Sequence, residues 1–258
     1  MSGLTVTHES GIMRITLDRP DKLNAIDGEL ARKLLLAFEE AAIVHDVRVV
    51  VLTGSGRAFC AGQDLADPAV APGSDLGMTI EHFYNPLIRA MRSLPKPILA
   101  RVNGIAAGAG ANLAFAADIV IAARSASFIE SFARIGLLPD SGGTWMLPRL
   151  FGHARAVGIA MLGERISAEQ AHAWGAIWQV VDDADLDGAC DTLAATLAQA
   201  PTRALGAIKT AFDAAANSTL DAALDCEREF QRRLGASRDY REGVEAFAAK
   251  RKPAFEGR

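Results

Sequence analysis

Short apolar runs, each followed by a turn rich in glycine or alanine, recur through the first half of the chain and most constrain its fold. Residues 47–53, 98–102 and 118–122 are nearly continuous apolar runs of strand length. Such runs are typical of strands buried on both faces, as in parallel sheets. Residues 108–117, between the last two runs, have the composition of a buried helix. This alternation of strands and helices predicts an α/β fold with a layered core.

Further elements are predicted at both sides of this pattern. Residues 4–18 alternate in polarity around Ser10-Gly11, which predicts a hairpin of two strands. Asp27 can cap a helix, because the apolar residues that follow it recur at helical spacing. Those residues are Leu30, Leu34, Phe38 and Ala41. Residues 66–77 predict a mobile surface loop, and residues 79–92 predict the next helix.

Beyond residue 150 the pattern becomes largely helical. Residues 167–170 form a capping box that starts a helix, and residues 177–181 predict the last strand. Residues 184–250 are rich in Ala, Leu, Arg and Glu, as in helices. The breaks in this helical stretch are Pro201 and the polar residues 217–219.

The length and this change of character predict the domain organisation. A chain of 258 residues can form one full-sized domain with an extension. We predict a core over residues 1–195 and a helical oligomerisation region over residues 196–258. A helical tail of this length is expected to cover the core or a neighbouring subunit.

Composition and charge limit the partners and the compartment. The net charge of −4 provides no basic surface for nucleic acid or for an anionic membrane. The longest apolar stretch, residues 105–123, is interrupted by Asn112 and Asp118 and is too short to span a bilayer. No signal peptide is visible in the first five residues. The chain has three cysteines without the spacing of metal ligands, which predicts a cytoplasmic protein with no metal site.

One acidic residue lies where the chain must turn sharply. Asp140 follows a rigid Leu-Pro pair and precedes two glycines. Residues 144–148 then predict a short helix that is stopped by Pro148. A carboxylate held there among apolar neighbours could serve as a general base. Asp is also a preferred N-cap residue, so Asp140 could equally cap this helix.

Two other stretches could present backbone N–H groups to a ligand. Residues 58–65 and residues 103–112 each follow a strand and consist mostly of small residues, and the second stretch continues into a helix. The first N–H groups of a helix are free and lie at the positive end of its dipole. Two such loops face to face would form an oxyanion hole. Each stretch alone is better explained by tight packing of a Gly/Ala-rich helix on a sheet.

Other common sites do not fit these residues. Residues 108–110 are not a dinucleotide fingerprint, because Leu113 stands where the third glycine is needed. The chain contains no phosphate-binding Gly-Lys-Ser/Thr loop. Cys60 could be proposed as a nucleophile, but no histidine lies near it in the sequence. A small residue that offers its backbone N–H group is the better interpretation of Cys60.

Taken together, residues 58–64, 103–110 and 136–144 resemble the crotonase (enoyl-CoA hydratase/isomerase) superfamily. The resemblance runs over nearly the whole chain, with three motifs in the right order. It implies a core of repeated ββα units that binds acyl-CoA, and C-terminal helices that trimerise, with homotrimers or homohexamers as the assembly. It also implies that the N–H groups of Cys60 and Ala109 hold the thioester oxygen as it becomes an enolate.

The acid and base residues decide which reaction of the superfamily the site performs. Hydratases of the superfamily have two glutamates, and the corresponding residues here are Asn112 and Phe132. Neither can transfer a proton as a carboxylate does, so hydration by that mechanism is not expected. Asp140 stands where hydratases commonly have glycine. The resemblance therefore favours Asp140 as the base over Asp140 as a helix cap.

Within the superfamily, the chain more closely resembles the isomerases of ring-epoxidised phenylacetyl-CoA from aerobic phenylacetate degradation. That resemblance implies conversion of ring-1,2-epoxyphenylacetyl-CoA to oxepin-CoA, with Asp140 as the acid and base and no cofactor beyond the CoA of the substrate. An alternative is a 3-enoyl-CoA to 2-enoyl-CoA isomerase that uses the same base. A second alternative is a non-catalytic member that binds acyl-CoA or RNA, although the acidic charge balance weighs against RNA.

The resemblance and the residue types also suggest a substrate pocket. Phe83, Phe132 and Trp145 could line an apolar pocket for the acyl group, and ordinary core packing explains them equally well. Contacts with CoA are expected near the first two motifs and from a neighbouring subunit's C-terminus. The residues expected to bind CoA or substrate in this way are Lys22, Leu23, Ala61, Gln63, Asp64, Leu65, Gly108, Phe247 and Lys250.

Overall fold

The computed structural model describes residues 3–257, and its strands form two sheets. Met1, Ser2 and Arg258 lie outside the described residues, and so do the outer ends of both predicted domains and part of the stretch inspected for a signal peptide. The strands are β1 (Leu4–Glu9), β2 (Ile12–Leu17), β3 (Val49–Gly54), β4 (Ala58–Cys60), β5 (Ile98–Val102), β6 (Ile105–Ala107), β7 (Ile119–Ala123), β8 (Ser127–Ile129), β9 (Arg165–Ser167) and β10 (Gln179–Val181).

The predicted layered core is built on the larger of these sheets. Its strand order is β1-β2-β3-β5-β7-β10, and all pairs except the β1–β2 hairpin are parallel. The smaller sheet has the order β4-β6-β8-β9, with an antiparallel edge pair β8–β9. Residues Val49 to Leu52 are at most 1% exposed, which explains why β3 reads as a continuous apolar run.

Helices surround the two sheets. They are α1 (Gly28–Ile43), α2 (Leu76–Thr79), α3 (Asn85–Ser93), α4 (Ala109–Ala116), α5 (Gly143–Phe151), α6 (His153–Leu162), α7 (Ala168–Ala173), α8 (Leu186–Gln199), α9 (Thr202–Ala215), α10 (Leu220–Gly235) and α11 (Arg238–Ala248). The predicted cap of α1 is present, because the Asp27 side chain accepts a hydrogen bond from the N–H of Leu30. The capping box of α7 is also present.

A repeated unit connects the sheets. In the unit β5–β6–α4, the first strand joins the larger sheet and the second joins the smaller sheet before a helix follows. The units that begin with β3 and β7 send their strands to the two sheets in the same way. Each unit therefore places a turn, and the start of a helix, on the same side of the smaller sheet.

Two local predictions are corrected by the structure. Pro148 does not stop α5, which continues to Phe151 with the proline inside it. The φ angle of proline is compatible with a helix, and burial of Leu147 and Phe151 stabilises the last turn. Residues 66–77 are not entirely loop: they contain a 3-10 turn, Pro68–Val70, and the start of α2. The side chains of Asp67 and Asp75 cap these two short segments.

The C-terminal helices are fastened to the core by buried polar contacts. The Nζ atom of Lys209, on α9, donates hydrogen bonds to the carbonyl oxygen of Met91 (2.8 Å) and to the carboxylate of Asp118 (3.0 Å). Arg48 reaches across to the carbonyl oxygen of Ala200. Across residues 3–257, no helix is both long and apolar enough to cross a lipid bilayer.

Candidate active site

Close backbone approaches bring the three sequence motifs together. A methyl group built on Gly62 would lie 2.6 Å from the carbonyl oxygen of Ala107 and 3.3 Å from the nitrogen of Ala109. One built on Gly143 would lie 2.5 Å from the Nδ2 atom of Asn112. Because real Cβ atoms do not approach so closely, glycine is required at both positions. The turn after β4, the start of α4 and the start of α5 therefore share one site.

Ala109 offers a free N–H group at this site. It is the first residue of α4, so its N–H group has no partner within the helix. Gly108 precedes it with φ +51° and ψ −126°, a conformation that glycine adopts readily. The helix dipole adds positive potential at the same point. Ala109 is thus suited to bind a developing oxyanion.

The geometry favours Gln63 over Cys60 as the second donor. Cys60 is the last residue of β4, pairs with Ala106 of β6 and is fully buried within the sheet. Gln63 lies in the turn that follows β4 and forms a parallel β-bridge with Ile26. In this bridge the main chain of Ile26 bonds to Gly62 and Asp64, the two neighbours of Gln63. The N–H group of Gln63 therefore faces away from Ile26 and has no acceptor among residues 3–257. Cys60 was expected as a donor from the family resemblance, and no local sequence pattern indicates the bridge between Ile26 and Gln63.

The Cys60 thiol is not a nucleophile in this environment. Burial raises the pKa of Cys60 to about 12, and its sulfur contacts the carbonyl oxygen of Asn24 at 3.2 Å. A reactive thiol needs a lowered pKa and access to substrate. Cys60 is thus part of the packing between β4 and the segment after β2.

Asp140 does not cap the helix that follows it. The residue before α5 is Gly142, with φ +79°, and no side chain among residues 3–257 caps the start of this helix. The Asp140 carboxylate instead accepts a hydrogen bond from the hydroxyl of Ser141 at 2.8 Å. Burial raises the pKa of Asp140 above the ordinary value for aspartate, and the Ser141 hydrogen bond opposes this rise. A half-buried carboxylate of this kind is suited to accept a proton.

A second carboxyl group, which the sequence analysis missed, lies beside Asp140. Glu130 is 1% exposed, and its only polar partner among the described residues is the Asn112 Nδ2 atom at 3.4 Å. The same Nδ2 atom donates to the main-chain oxygen of Asp140 at 2.9 Å. Burial and, to a smaller extent, the charge of Asp140 raise the pKa of Glu130 to about 8, and the Asn112 hydrogen bond opposes this rise. Nothing in the sequence around Glu130 indicated that it would be buried.

Tyr84 is another residue that the sequence analysis missed. A π-helical turn, Ile80–Tyr84, precedes α3 and directs Tyr84 inward, where it is 2% exposed. Its hydroxyl donates a hydrogen bond of 2.6 Å to the Oε1 atom of Gln63. Burial raises the pKa of Tyr84, so its hydroxyl keeps its proton at neutral pH. This hydrogen bond stabilises the turn that carries the Gln63 N–H group. Tyr84 was missed because a π-helical turn cannot be recognised from local sequence.

The three aromatic residues predicted for the pocket have different surroundings. The ring of Phe132 lies 3.7 Å from the position of a methyl group on Gly108, and its side chain is 6% exposed at the site. Phe83 packs against Gly28 at the start of α1, which agrees with core packing. Trp145 faces a different groove, where the guanidinium of Arg149 lies 4.0 Å from its ring centre. Only Phe132 lies beside the N-terminus of α4.

The residues predicted for CoA binding near the first motif lie together. The N–H group of Ala61 donates to the carbonyl oxygen of Leu23 at 2.9 Å. Lys22 bonds to the carboxylate of Asp64 at 2.8 Å, and this bond holds the pKa of Asp64 below its usual range. Leu65 is 67% exposed at the edge of this segment. The cluster provides one cation and one apolar side chain beside the candidate oxyanion hole.

The predicted C-terminal contacts belong to a different part of the molecule. Phe247 is 87% exposed on α11 and lines a groove of about 900 Å³ between α9, α10 and α11. Lys250 follows α11 with φ +52° and is exposed. Neither side chain bonds to the candidate site of its own subunit within the described residues. Among residues 3–257, no cluster of three or more His, Cys, Asp or Glu side chains is arranged to hold a metal ion.

Comparison with known proteins identifies the family. The family model described as enoyl-CoA hydratase/isomerase matches residues 7–258. The chain is 54% identical to the 1,2-epoxyphenylacetyl-CoA isomerase of Escherichia coli (strain K12) over 97% of both chains. It is 50% identical to a Rhodobacter capsulatus protein named "probable enoyl-CoA hydratase" over the full length of both. The structure of an enoyl-CoA hydratase from Bacillus anthracis superposes with a TM-score of 0.94, at 31% identity, over 99% of this chain and all of that one.

These matches confirm the predicted fold class and the resemblance on which it was based. The two sheets, the repeated strand–strand–helix units and the helical C-terminus are those of the crotonase fold. The family model matches 252 residues, which include all of the core from residue 7 onward. The chain belongs to the enoyl-CoA hydratase/isomerase family.

Proposed function

We propose that this protein is an isomerase that converts ring-1,2-epoxyphenylacetyl-CoA to oxepin-CoA. The observation that carries the proposal is Asp140, an acid held beside free N–H donors in a chain 54% identical to a 1,2-epoxyphenylacetyl-CoA isomerase. An isomerisation redistributes atoms and electrons within the substrate. It therefore requires no cofactor beyond the CoA that the substrate carries.

The oxyanion hole would make the substrate acidic. The thioester oxygen binds between the N–H groups of Gln63 and Ala109, which stabilise negative charge on that oxygen as an enolate forms. Removing one such donor typically raises the activation barrier by about 3–4 kcal/mol. Tyr84 supports this arrangement through its bond to the Gln63 side chain.

Asp140 would then move the proton. Its carboxylate removes a proton from the carbon next to the thioester carbonyl, and the electron pair is held in the enolate. As the electrons return, the carbon–carbon bond shared by the epoxide and the six-membered ring opens to give a seven-membered oxygen heterocycle. Asp140 returns the proton to another carbon, so substrate and product have the same composition.

Hydration of an enoyl-CoA is less well supported by these residues. The resemblance places Asn112 and Phe132 where hydratases have glutamates. Asn112 is occupied by its bonds to Glu130 and to the main chain of Asp140. Phe132 is an apolar wall beside Gly108. Neither of these two residues therefore supplies a carboxylate that could activate a water, and the Glu130 carboxyl is only 1% exposed.

The test is turnover of ring-1,2-epoxyphenylacetyl-CoA by the wild-type protein and by Asp140→Asn. We expect an isomeric product of equal mass and changed ultraviolet spectrum, and a loss of about 10²–10⁴-fold in kcat in the variant. Asp225→Asn, on the exposed face of α10, serves as the matched control. Full activity of Asp140→Asn would refute the assigned base. Isomerisation of 3-enoyl-CoA, without turnover of the epoxide, would favour the alternative isomerase.

The proposed assembly and location rest on separate features. The groove between α9, α10 and α11 exposes Phe212 and Phe247 at 74% and 87%, which favours packing against other subunits as a trimer or hexamer. In such an assembly, Phe247 and Lys250 would reach a neighbour's CoA. Light scattering gives the assembly size directly, and a monomer would refute this part of the proposal. Three free cysteines fit a cytoplasmic location.

A further inference from the structure

Glu130 lies in an environment that disfavours a charged carboxylate. It connects β8 to a 3-10 turn, Ser131–Ile135, and is 1% exposed. Its Oε1 atom has no hydrogen-bond partner among the described residues, and its Oε2 atom has only the long 3.4 Å contact from Asn112. An ionised carboxylate without close donors is costly to bury. A neutral carboxyl avoids that cost and adds an O–H donor.

An O–H donor on Glu130 would lie among buried oxygens that lack hydrogen-bond donors. Within residues 3–257, the buried Oδ1 atom of Asn112 also has no partner, so two side chains that contact each other each carry an unpaired oxygen. Buried polar atoms are normally paired, and unpaired ones in native structures call for an explanation. A proton on Glu130 adds one donor to this group of atoms, whereas an ionised Glu130 leaves three unpaired or weakly paired oxygens around one amide.

Asn112 joins Glu130 to the base. Its Nδ2 atom contacts the Glu130 carboxyl and donates to the main-chain oxygen of Asp140 at 2.9 Å. Gly143 packs directly on this amide, since a methyl group there would lie 2.5 Å from Nδ2. Asn112 therefore contacts both the turn that carries Asp140 and the carboxyl of Glu130. A change in the position or charge of Glu130 can alter the position of Asp140 through the Asn112 side chain.

Asp140 is the charged group that acts on Glu130. Among the described residues, no other charge contributes to the raised pKa of Glu130. Arg134 lies over Gly163 beside the main-chain oxygen of Glu130, but its side chain is exposed. The other titratable side chains on the neighbouring β9 and α6 are also exposed, namely His153, Arg155 and Arg165. In the part of the chain that the structure describes, no cation is placed to stabilise an ionised Glu130.

We propose that Glu130 is a positioning residue that carries a proton in the active enzyme and therefore adds no second negative charge beside Asp140. Its neutral carboxyl holds Asn112 under the Asp140 turn. When Glu130 loses its proton, the new negative charge opposes the enolate and the carboxyl loses its O–H donor. This inference rests on the proposed function only where activity is the readout.

The protonation state can be tested without any activity. A protonated carboxyl has an infrared band that disappears on ionisation, and we expect the wild-type protein to lose such a band as the pH rises from about 6 to about 10. Glu130→Gln should lack that titrating band, and Glu164→Gln, at an exposed neighbouring glutamate, should keep it. Absence of the band in wild type, or its persistence in Glu130→Gln, would overturn the proposal.

The pH dependence of kcat/KM tests the effect on catalysis. For wild type we expect a fall on the order of tenfold between about pH 7 and about pH 9, because ionised Glu130 opposes the enolate. In Glu130→Gln, kcat/KM should be nearly the same at these two pH values, whatever the absolute activity of the variant. Glu164→Gln should show the same fall as wild type. An equal fall in Glu130→Gln and wild type would show that Glu130 has only a structural role.

Discussion

Gly62 provides a direct test of the oxyanion-hole geometry. Its backbone has φ +91°, and a methyl group on it would lie 2.6 Å from the Ala107 oxygen and 3.3 Å from the Ala109 nitrogen. In Gly62→Ala, the turn that carries the Gln63 N–H group must move away from the start of α4. The substitution therefore separates the two proposed donors without removing either.

The size of the effect follows from these distances. An ordinary contact begins at 3.4 Å, so the methyl group requires a shift of about 0.8 Å away from the Ala107 oxygen. A displacement near 1 Å at a reacting centre costs about 100-fold in rate. We expect Gly62→Ala to lower kcat by roughly that factor. The positive φ adds a stability cost of about 1–3 kcal/mol, which is independent of the donors.

Gly73 is the matched control, because it has φ +92° but open space around its Cβ position. Gly73→Ala carries the same backbone strain as Gly62→Ala and no clash. We expect it to lower the melting temperature and to leave kcat unchanged. Both variants are assayed for isomerase turnover at about 25 °C, after circular dichroism has shown that they are folded at that temperature.

The comparison of the two variants decides the argument. If kcat of Gly62→Ala lies within about threefold of kcat of Gly73→Ala, the approach of the two backbone segments does not set the rate. The donor pair of Gln63 and Ala109 would then be refuted. A large fall in kcat for both variants would instead show that positive-φ strain alone disturbs the enzyme.

Three further predictions concern buried charges. Lys209→Met should lower the free energy of unfolding in urea by about 3 kcal/mol, because it leaves the buried Asp118 with only its longer 3.7 Å ion pair to Arg92, and adding Asp118→Asn should restore part of the loss. Since the base must be ionised and burial raises the pKa of Asp140, kcat/KM should fall with decreasing pH above the ordinary aspartate value of 3.8, and a fall only at 3.8 or below would contradict the burial effect. Because the pKa of Glu130 rises from 4.5 to about 8 on folding, its contribution to stability is complete below 4.5 and is lost as the pH rises towards 8. The loss is at most about 3 kcal/mol near pH 7, so the melting temperature of wild type should fall more steeply over this range than that of Glu130→Gln, and parallel curves would contradict it.

The order of the longer elements could be predicted because each of them had a strong local signal. The strand β3 is a continuous apolar run, α1 has Asp27 as its cap, and α7 has its capping box. Pro148 was misjudged because a proline signal is local, whereas the burial that sustains α5 beyond it involves distant residues. The short segments between residues 66 and 79 were missed because their helical signal is only one turn long.

The site could be predicted only where function depends on residue type. Asp140 was identified because an acid between a proline and two glycines is unusual. The N–H group of Gln63 was missed because a backbone donor is defined by the hydrogen bonds of its neighbours, here those of Ile26. Tyr84 and Glu130 were missed because each is brought to the site by an irregular turn, and an irregular turn has no periodicity to detect.

The two carboxyl groups explain how one site can hold both a base and an enolate. Asp140 is only partly buried and accepts a close hydrogen bond from Ser141, so it is the easier of the two to ionise. Glu130 is fully buried and has only a long contact with Asn112, so it takes up its proton first as the pH falls. Environments that push two carboxyl groups apart in pKa assign them different roles. Forming the enolate adds negative charge to the site while Asp140 is neutralised by the proton it accepts, so the total charge is unchanged during the transfer. An ionised Glu130 would repel the negative charge of the enolate at every stage of the proton transfer. A neutral Glu130 avoids this repulsion.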